Sequence, residues 1–187
     1  MKRVLIVGAG ALGSWTAEIL SRKGPFSFYI VDPDRVEESN LDRQLFYPQD
    51  VGKYKAEVLA QRITLMGNDA QAIISRIEDV EGISADIALA LTDNIPSRIF
   101  VEERYFPTIH GMVRPEVGMV LMTTNEVKLS NLMTEGKHTG AQDVSMVVSV
   151  ASLVARLALD YLIRGDTSNA GKLFLLSRYS LEVLDLE

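Results

Sequence analysis

Apolar residues along this chain change between short unbroken runs and helical spacing, and glycines mark most of the changes. Val4–Val7 is an aliphatic, largely β-branched run closed by Gly8, which predicts a buried parallel strand. Trp15 to Lys23 carries Trp15, Ile19 and Leu20 at helical spacing, and Gly24-Pro25 stops it. Phe26–Val31 is a second strand ending at Asp32. Strand, glycine turn, helix and strand make one right-handed βαβ unit with parallel neighbours. Asp32 to Gly52 is polar and has no clear period. Helical spacing returns over Lys53–Met66, and strands are expected over Ala70–Ile77 and Ala85–Leu91.

The second half reads less regularly. Ile95–Tyr105 is a helix candidate opened by Asp93-Asn94, both good caps. Pro107–His110 and Val117–Met122 read as short strands. Thr123–Gln142 is a long polar connection, of the kind that serves as a lid or stays disordered. Asp143–Arg164 is the longest helix candidate. Its first half has almost no polar face, which predicts burial on several sides. Its Ser and Ala positions would admit a second helix closely. Gly165 closes it, and Leu173–Leu176 and Leu181–Leu186 read as terminal strands. The fold class expected is α/β: a Rossmann-like, mainly parallel sheet with helices on both faces and antiparallel C-terminal strands, forming one domain over 1–187.

Composition narrows the function classes. The chain has 187 residues, 47% apolar and 24% charged, which is ordinary globular composition. Its net charge of −6 disfavours nucleic acid as a partner, because affinity for phosphate backbones rests on basic surface. With no cysteine there is no disulfide, no Cys-ligated zinc and no thiol nucleophile. With only two histidines a three-His metal site is excluded within one chain. No signal peptide is read at the start. The apolar run Val144–Ala155 is too short to span a bilayer, so no membrane partner and a cytoplasmic location are expected.

Gly8-x-Gly10-x-x-Gly13, after a strand and opening a helix, is a nucleotide-binding turn. Gly8 lets the chain turn, Gly10 lets a phosphate or ribose approach, and Gly13 lets helix and strand pack. The helix N-terminus favours negative charge. Asp32 follows about 20 residues later, where a carboxylate can accept from ribose hydroxyls. The turn itself does not choose between NAD and ATP.

The choice comes from Asp32-Pro-Asp-Arg-Val, Ser39-Asn-Leu-Asp-Arg-Gln44, Gly52-Lys-Tyr-Lys55 and Thr92-Asp-Asn-Ile-Pro-Ser-Arg98. In this order the motifs resemble the ThiF/MoeB family, prokaryotic relatives of the ubiquitin-activating enzymes. The resemblance implies binding of ATP and Mg²⁺, and adenylation of the C-terminal carboxylate of a small ubiquitin-like or sulfur-carrier protein ending Gly-Gly. It implies nucleotide contacts from Gly8, Gly10, Ala11, Gly13, Asp32, Asp34, Ser39, Asn40, Arg43, Lys55, Asp93 and Asn94. Asp32 matches the ribose ligand and Asn40 a contact to the phosphates. Arg43 and Lys55 match the cations at the phosphates, where charge builds as pyrophosphate leaves. Asp93 matches the acidic residue associated with Mg²⁺. Arg43, Lys55 and Asp93 are the expected catalytic residues, and relatives form homodimers.

The sequence also departs from that family. Many members have a catalytic cysteine or zinc-binding Cys-x-x-Cys pairs, and this sequence has neither. Many carry an arginine on a helix before the first strand; here the sequence opens on that strand. Thioester transfer on this chain is therefore not expected, and the acyl-adenylate would pass to a separate acceptor. A non-catalytic nucleotide-binding scaffold of the same family stays open as an alternative. So does an NAD-dependent oxidoreductase, supported only by the glycine turn and Asp32. Individually, several residues have plainer readings. Asp93 and Asn94 are good helix caps, and Arg98 could pair with Glu102 at i+4. His110 reads as a strand-end core histidine near the groove for the substrate tail. His138 has no assigned role, and the methionines read as core filler.

Overall fold

The computed structural model describes residues 1–133, 135–136 and 141–187. The glycine turn separates β1 (Lys2–Val7) from α1 (Ala11–Ser21), and β2 (Phe26–Val31) follows. After the polar segment come α2 (Lys55–Leu65), β3 (Asp69–Ile73), β4 (Ile87–Ala90) and α3 (Ile95–Arg104). The remainder comprises β5 (Thr108–Val113), β6 (Val117–Met122), the single turn α4 (Leu129–Leu132), α5 (Val144–Arg164), β7 (Lys172–Ser177) and β8 (Leu181–Asp185).

The strands form one sheet in the order β3-β2-β1-β4-β5-β6-β7-β8. The first five in that order pair in parallel and the last three antiparallel, as expected for the fold class. Alternate residues of one strand feed opposite faces. Val4 and Ile6 enter the core built with α1, α2 and α5, whereas Leu5 and Val7 enter the core beneath α3. A third cluster, around Leu121, Val127, Leu129 and Leu173, joins the antiparallel strands to the segment carrying α4. Burial on both faces explains why β1 and β4 read as unbroken apolar runs.

Three elements differ from expectation. The third strand stops at Ile73, because Ile77 lies in a 3₁₀ turn (Ile77–Asp79) and fills the core beside Val101. The polar segment after Asp32 folds as two 3₁₀ turns, Glu38–Asn40 and Pro48–Asp50, each tied by a side chain returning to the backbone. The third difference is in α5, which is not apolar all round. Ser145, Ser149, Ser152 and Arg156 fall on one exposed stripe, and the rest packs against α1, β5 and β6. The Asp143 carboxylate caps its start, accepting from Ser145 N at 2.9 Å and Met146 N at 3.1 Å. Gly165, at φ 66°, closes it in the left-handed region. By length and hydropathy alone α5 could cross a membrane; here half of its most apolar stretch is buried in the fold.

Candidate functional site

In the sheet, β1 lies between β2 and β4, and the chain winds away from it in both directions. Such a switch point opens a crevice at the carboxyl ends of the strands. Here it is a cleft of about 690 Å³, lined by the glycine turn, the ends of β2 and β4, and the start of α3. The rest of its lining, its second arm, comprises Met112, Val113 and Arg114 on β5 and its turn, Val117 and Met119 on β6, and Met133, Glu135, Gly136, Ala141 and Gln142.

The glycines divide the work of the turn. Gly8 has φ +95°, and a side chain there would sit 2.6 Å from Thr92 N. At Gly13 a side chain would strike Gly8 O at 1.8 Å, so this glycine lets α1 approach the turn. Gly10 is different: an added carbon would meet nothing nearer than Gln44 Nε2 at 3.6 Å, on the open side of the cleft. No side chain caps α1, and its first turn has no acidic residue. Its N–H groups beside Gly10, Ala11 and Leu12 thus face the cleft ready for an anion.

Asp32 is buried at the end of β2 and pins the turn. Its Oδ2 accepts from Ala9 N and its Oδ1 from Asp34 N, each at 2.7 Å. Burial pushes its carboxyl up, while these bonds and the charge of Lys55 pull it down. Asp34 is exposed at the rim, and its carbonyl accepts from Lys55 N at 3.0 Å, which sets the start of α2. Lys55 is only 8% exposed; its ammonium makes no hydrogen bond or ion pair within 4 Å among the described residues, and its charge acts on the Asp32 carboxylate. A nearly buried cation of this kind is costly unless an anion meets it.

Arg43 reaches the cleft from the loop after the first 3₁₀ turn. Its Nη1 donates to Ser39 O and to Asp42 Oδ1, each at 2.8 Å. Trp15 Nε1 donates to Arg43 O at 3.0 Å and ties this loop to α1. Asp93 is exposed at the cleft edge, and Asn94 caps α3 by accepting from Ser97 N at 3.0 Å. Asn94 therefore lines the cleft while serving as a cap. Among the expected residues, Gly13, Ser39 and Asn40 do not line the cleft. Asn40 is buried and accepts from Glu37 N at 2.9 Å, and the exposed Ser39 supports Arg43 through its carbonyl.

The donor set fits a nucleoside triphosphate: free helix N–H groups, Lys55 and Arg43 for phosphate, and Asp32 near the turn for ribose. For Mg²⁺ the described residues offer no cluster of three ligands. Asp93 would supply one carboxylate, with phosphate and water oxygens completing the shell.

Several residues fall elsewhere than sequence reasoning put them. His110 is in the middle of β5, wholly buried, and does not reach the groove. Its Nε2 faces Glu102 Oε2 at 3.0 Å. Arg98 does not pair with Glu102; it donates to Ala90 O at 2.6 Å and Gly111 O at 2.7 Å. Met112, Met119 and Met133 line the cleft rather than filling core alone. His138 and the middle of the polar connection lie outside the described residues. Gln44 was missed although it ends the Ser39–Gln44 motif; it is buried against Gly10 with Oε1 unpartnered. Glu78, bonded to Ser97 Oγ, also lines the cleft, and no sequence pattern marks it.

Known proteins resemble this chain in sequence and fold. The chain is 44% identical over 82 residues to the NEDD8-activating enzyme E1 catalytic subunit of Arabidopsis thaliana, covering 42% of this chain and 18% of that protein. It is 33% identical over 122 residues to the SAMP-activating enzyme E1 of Haloferax volcanii, covering 59% of this chain and 45% of that one. The chain thus spans less than half the length of these relatives. Among solved structures, E. coli MccB with ATP superposes with TM-score 0.82 at 18% identity, over 99% of this chain and 64% of that one. PaaA superposes with TM-score 0.81 at 20% identity, over 100% and 64%. These structural likenesses concern the fold. The sequence match to the ThiF family runs over residues 1–186, and the chain belongs to that family.

Proposed function

We propose that this chain binds Mg·ATP and adenylates the C-terminal carboxylate of a small ubiquitin-like or sulfur-carrier protein, or of a peptide. The observation that carries the reading is the Lys55 ammonium. It belongs to a nearly buried residue, makes no hydrogen bond or ion pair within 4 Å among the described residues, and lines the same cleft as the free N-terminus of α1. The names of the relatives agree: one activates NEDD8, another SAMP, and MccB is solved with ATP and with the MccA peptide.

In this reading Asp32 holds the ribose side of the nucleotide. Lys55 and Arg43 lie along the phosphates and gain strength as charge collects on the leaving oxygens. Asp93 holds the metal, which neutralises phosphate charge when bound. The carboxylate enters along the second arm, past Met112 and Met119. Met133, Glu135, Gly136, Ala141 and Gln142 line that arm and would limit water around the substrate tail. The absence of cysteine leaves the acyl-adenylate to a separate thiol, persulfide or amine. The reading extends to a cytoplasmic homodimer, supported by exposed Val144 and Ile163 and the small serine stripe on α5.

Exchange of labelled pyrophosphate into ATP tests the proposal. Exchange that requires a peptide or protein with a free C-terminal carboxylate is the expected result. Equal exchange with and without that carboxylate would remove the adenylation step.

A further inference from the structure

The nucleotide arm, as read above, leaves one buried cation unused. Arg98 is 3% exposed, and its partners are two carbonyls, Ala90 O and Gly111 O. No carboxylate lies within 4 Å of it among the described residues. Glu102, one helical turn further along α3, is already committed: it accepts from His110, from Leu129 N at 2.8 Å and from Ser130 N at 2.9 Å. The carboxylate whose charge acts on Arg98 is Asp93, exposed at the cleft edge. Burial lowers the guanidinium to about 10, and Asp93 only partly offsets this. A desolvated cation held by neutral acceptors is an expensive arrangement, and an arriving anion relieves it.

The position of Arg98 says which anion. It lines the cleft between Thr92–Asn94 at the end of β4 and Met112–Val113 on β5. Its bonds to Ala90 O and Gly111 O put it where the β4 end of the cleft adjoins Met112 and the second arm, a junction between the two. The carbonyl bonds fix the guanidinium plane by tying it to both strands, and they leave further N–H donors for a forked contact. Lys55 and Arg43 come instead from the segment after β2.

We infer that Arg98 receives the terminal carboxylate of the substrate and holds it at the junction for attack, an inference that rests on the adenylation reading. In that step one carboxylate oxygen forms a bond to the α-phosphorus. The bond from that phosphorus to the bridging oxygen breaks, and pyrophosphate leaves with the electron pair. No proton or electron is exchanged, so Arg98 acts by charge and orientation alone.

The test follows the Arg98 Nε–H signal by NMR in the labelled full chain. The probe is N-acetylglycylglycine at millimolar concentration, with its C-terminal amide as the control. Each is titrated with and without Mg²⁺ and a non-hydrolysable ATP analogue. The Arg98 signal shifts with the free acid and not with the amide. Arg98→Lys keeps charge but loses the fork, and weakens binding of the acid at least tenfold. A purely structural arginine predicts the same response to acid and amide; an equal response, or none, overturns the inference. Calorimetry with Mg·ATP is scored separately. If the nucleotide fails to bind, the adenylation reading falls, and the titration without nucleotide still decides the role of Arg98.

Discussion

His110 Nε2 stands 3.0 Å from Glu102 Oε2, and both side chains are sealed from solvent. The pair joins β5 to α3. Through Leu129 N and Ser130 N the same carboxylate holds the first turn of α4, within the Thr123–Gln142 connection. Burial pushes the Glu102 carboxyl up, but hydrogen bonds from His110, Ser130 and Leu129 outweigh it and leave it at about 2. Burial also lowers His110, aided by the Arg98 charge and opposed by Glu102. The imidazole is therefore neutral, with the proton assigned to Nε2 from its partner.

These shifts set the acid response of the fold. A carboxyl lowered from 4.5 to about 2 adds stability that is complete above pH 4.5 and is lost as pH falls toward 2. A histidine held below 6.5 acts in the same direction, starting at higher pH, because the unfolded chain takes up the proton first. Acid titration followed by circular dichroism should show stability falling through both ranges. Glu102→Gln weakens hydrogen bonds to a charged acceptor, should cost about 2 kcal/mol at neutral pH, and should flatten the lower range. An unchanged slope below pH 4.5 in that variant would contradict the pairing.

The glycine turn separates folding from binding. Gly13→Ala drives a carbon into Gly8 O and should destabilise the fold by about 3 kcal/mol or more. Gly10→Ala meets no atom closer than 3.6 Å, so it should fold and lose nucleotide affinity. Thermal melting and calorimetry on the two variants separate the effects. Equal melting temperatures would overturn this division.

Much of this architecture was readable from the sequence, for a physical reason. Phe26–Val31 is legible because Gly24-Pro25 and Asp32 bound it, and Val117–Met122 is legible as a short apolar run before the polar connection that opens at Thr123. Gly13 is explained by its contact with Gly8 O within one βαβ unit, which local sequence encodes, whereas the contact that excludes a side chain at Gly8 comes from Leu91 and Thr92 after β4. The misreadings involve contacts between distant segments. Ile77 was assigned to a strand because its tie to Val101 crosses from one element to another. The exposed stripe of α5 was hidden because serine is short and its neighbours are valines. Arg98 looked like half of an i+4 pair, until His110 and α4 claimed Glu102. Gln44 and Glu78 reach the cleft only once the loops fold.

The phosphate cations can be tested singly. Arg43→Ala and Lys55→Ala each remove a charge from the cleft, and Asp93→Ala removes the metal contact. Each should slow pyrophosphate exchange by roughly 10²-fold if its contact strengthens in the transition state. Asp32→Ala should mainly weaken nucleotide binding, and it also frees Ala9 N and Asp34 N. Unchanged exchange in all three phosphate-site variants would remove their assignment.

With no cysteine, the chain has no thiol to take the acyl group. His110 cannot substitute, because it is wholly buried and bonded to Glu102. After incubation with ATP and a carboxylate substrate, mass spectrometry should find the chain at its own 20.7 kDa. A covalent adduct on any side chain would contradict transfer to a separate acceptor.

The most direct measurement of the central claim is calorimetry with Mg·ATP and NAD on the same protein. The glycine turn and Asp32 would serve either ligand, whereas Lys55, Arg43 and Asp93 serve a metal-bound triphosphate. The account predicts tighter binding of Mg·ATP, weakened in Lys55→Ala. Tighter binding of NAD, with no effect of that substitution on either ligand, would contradict it.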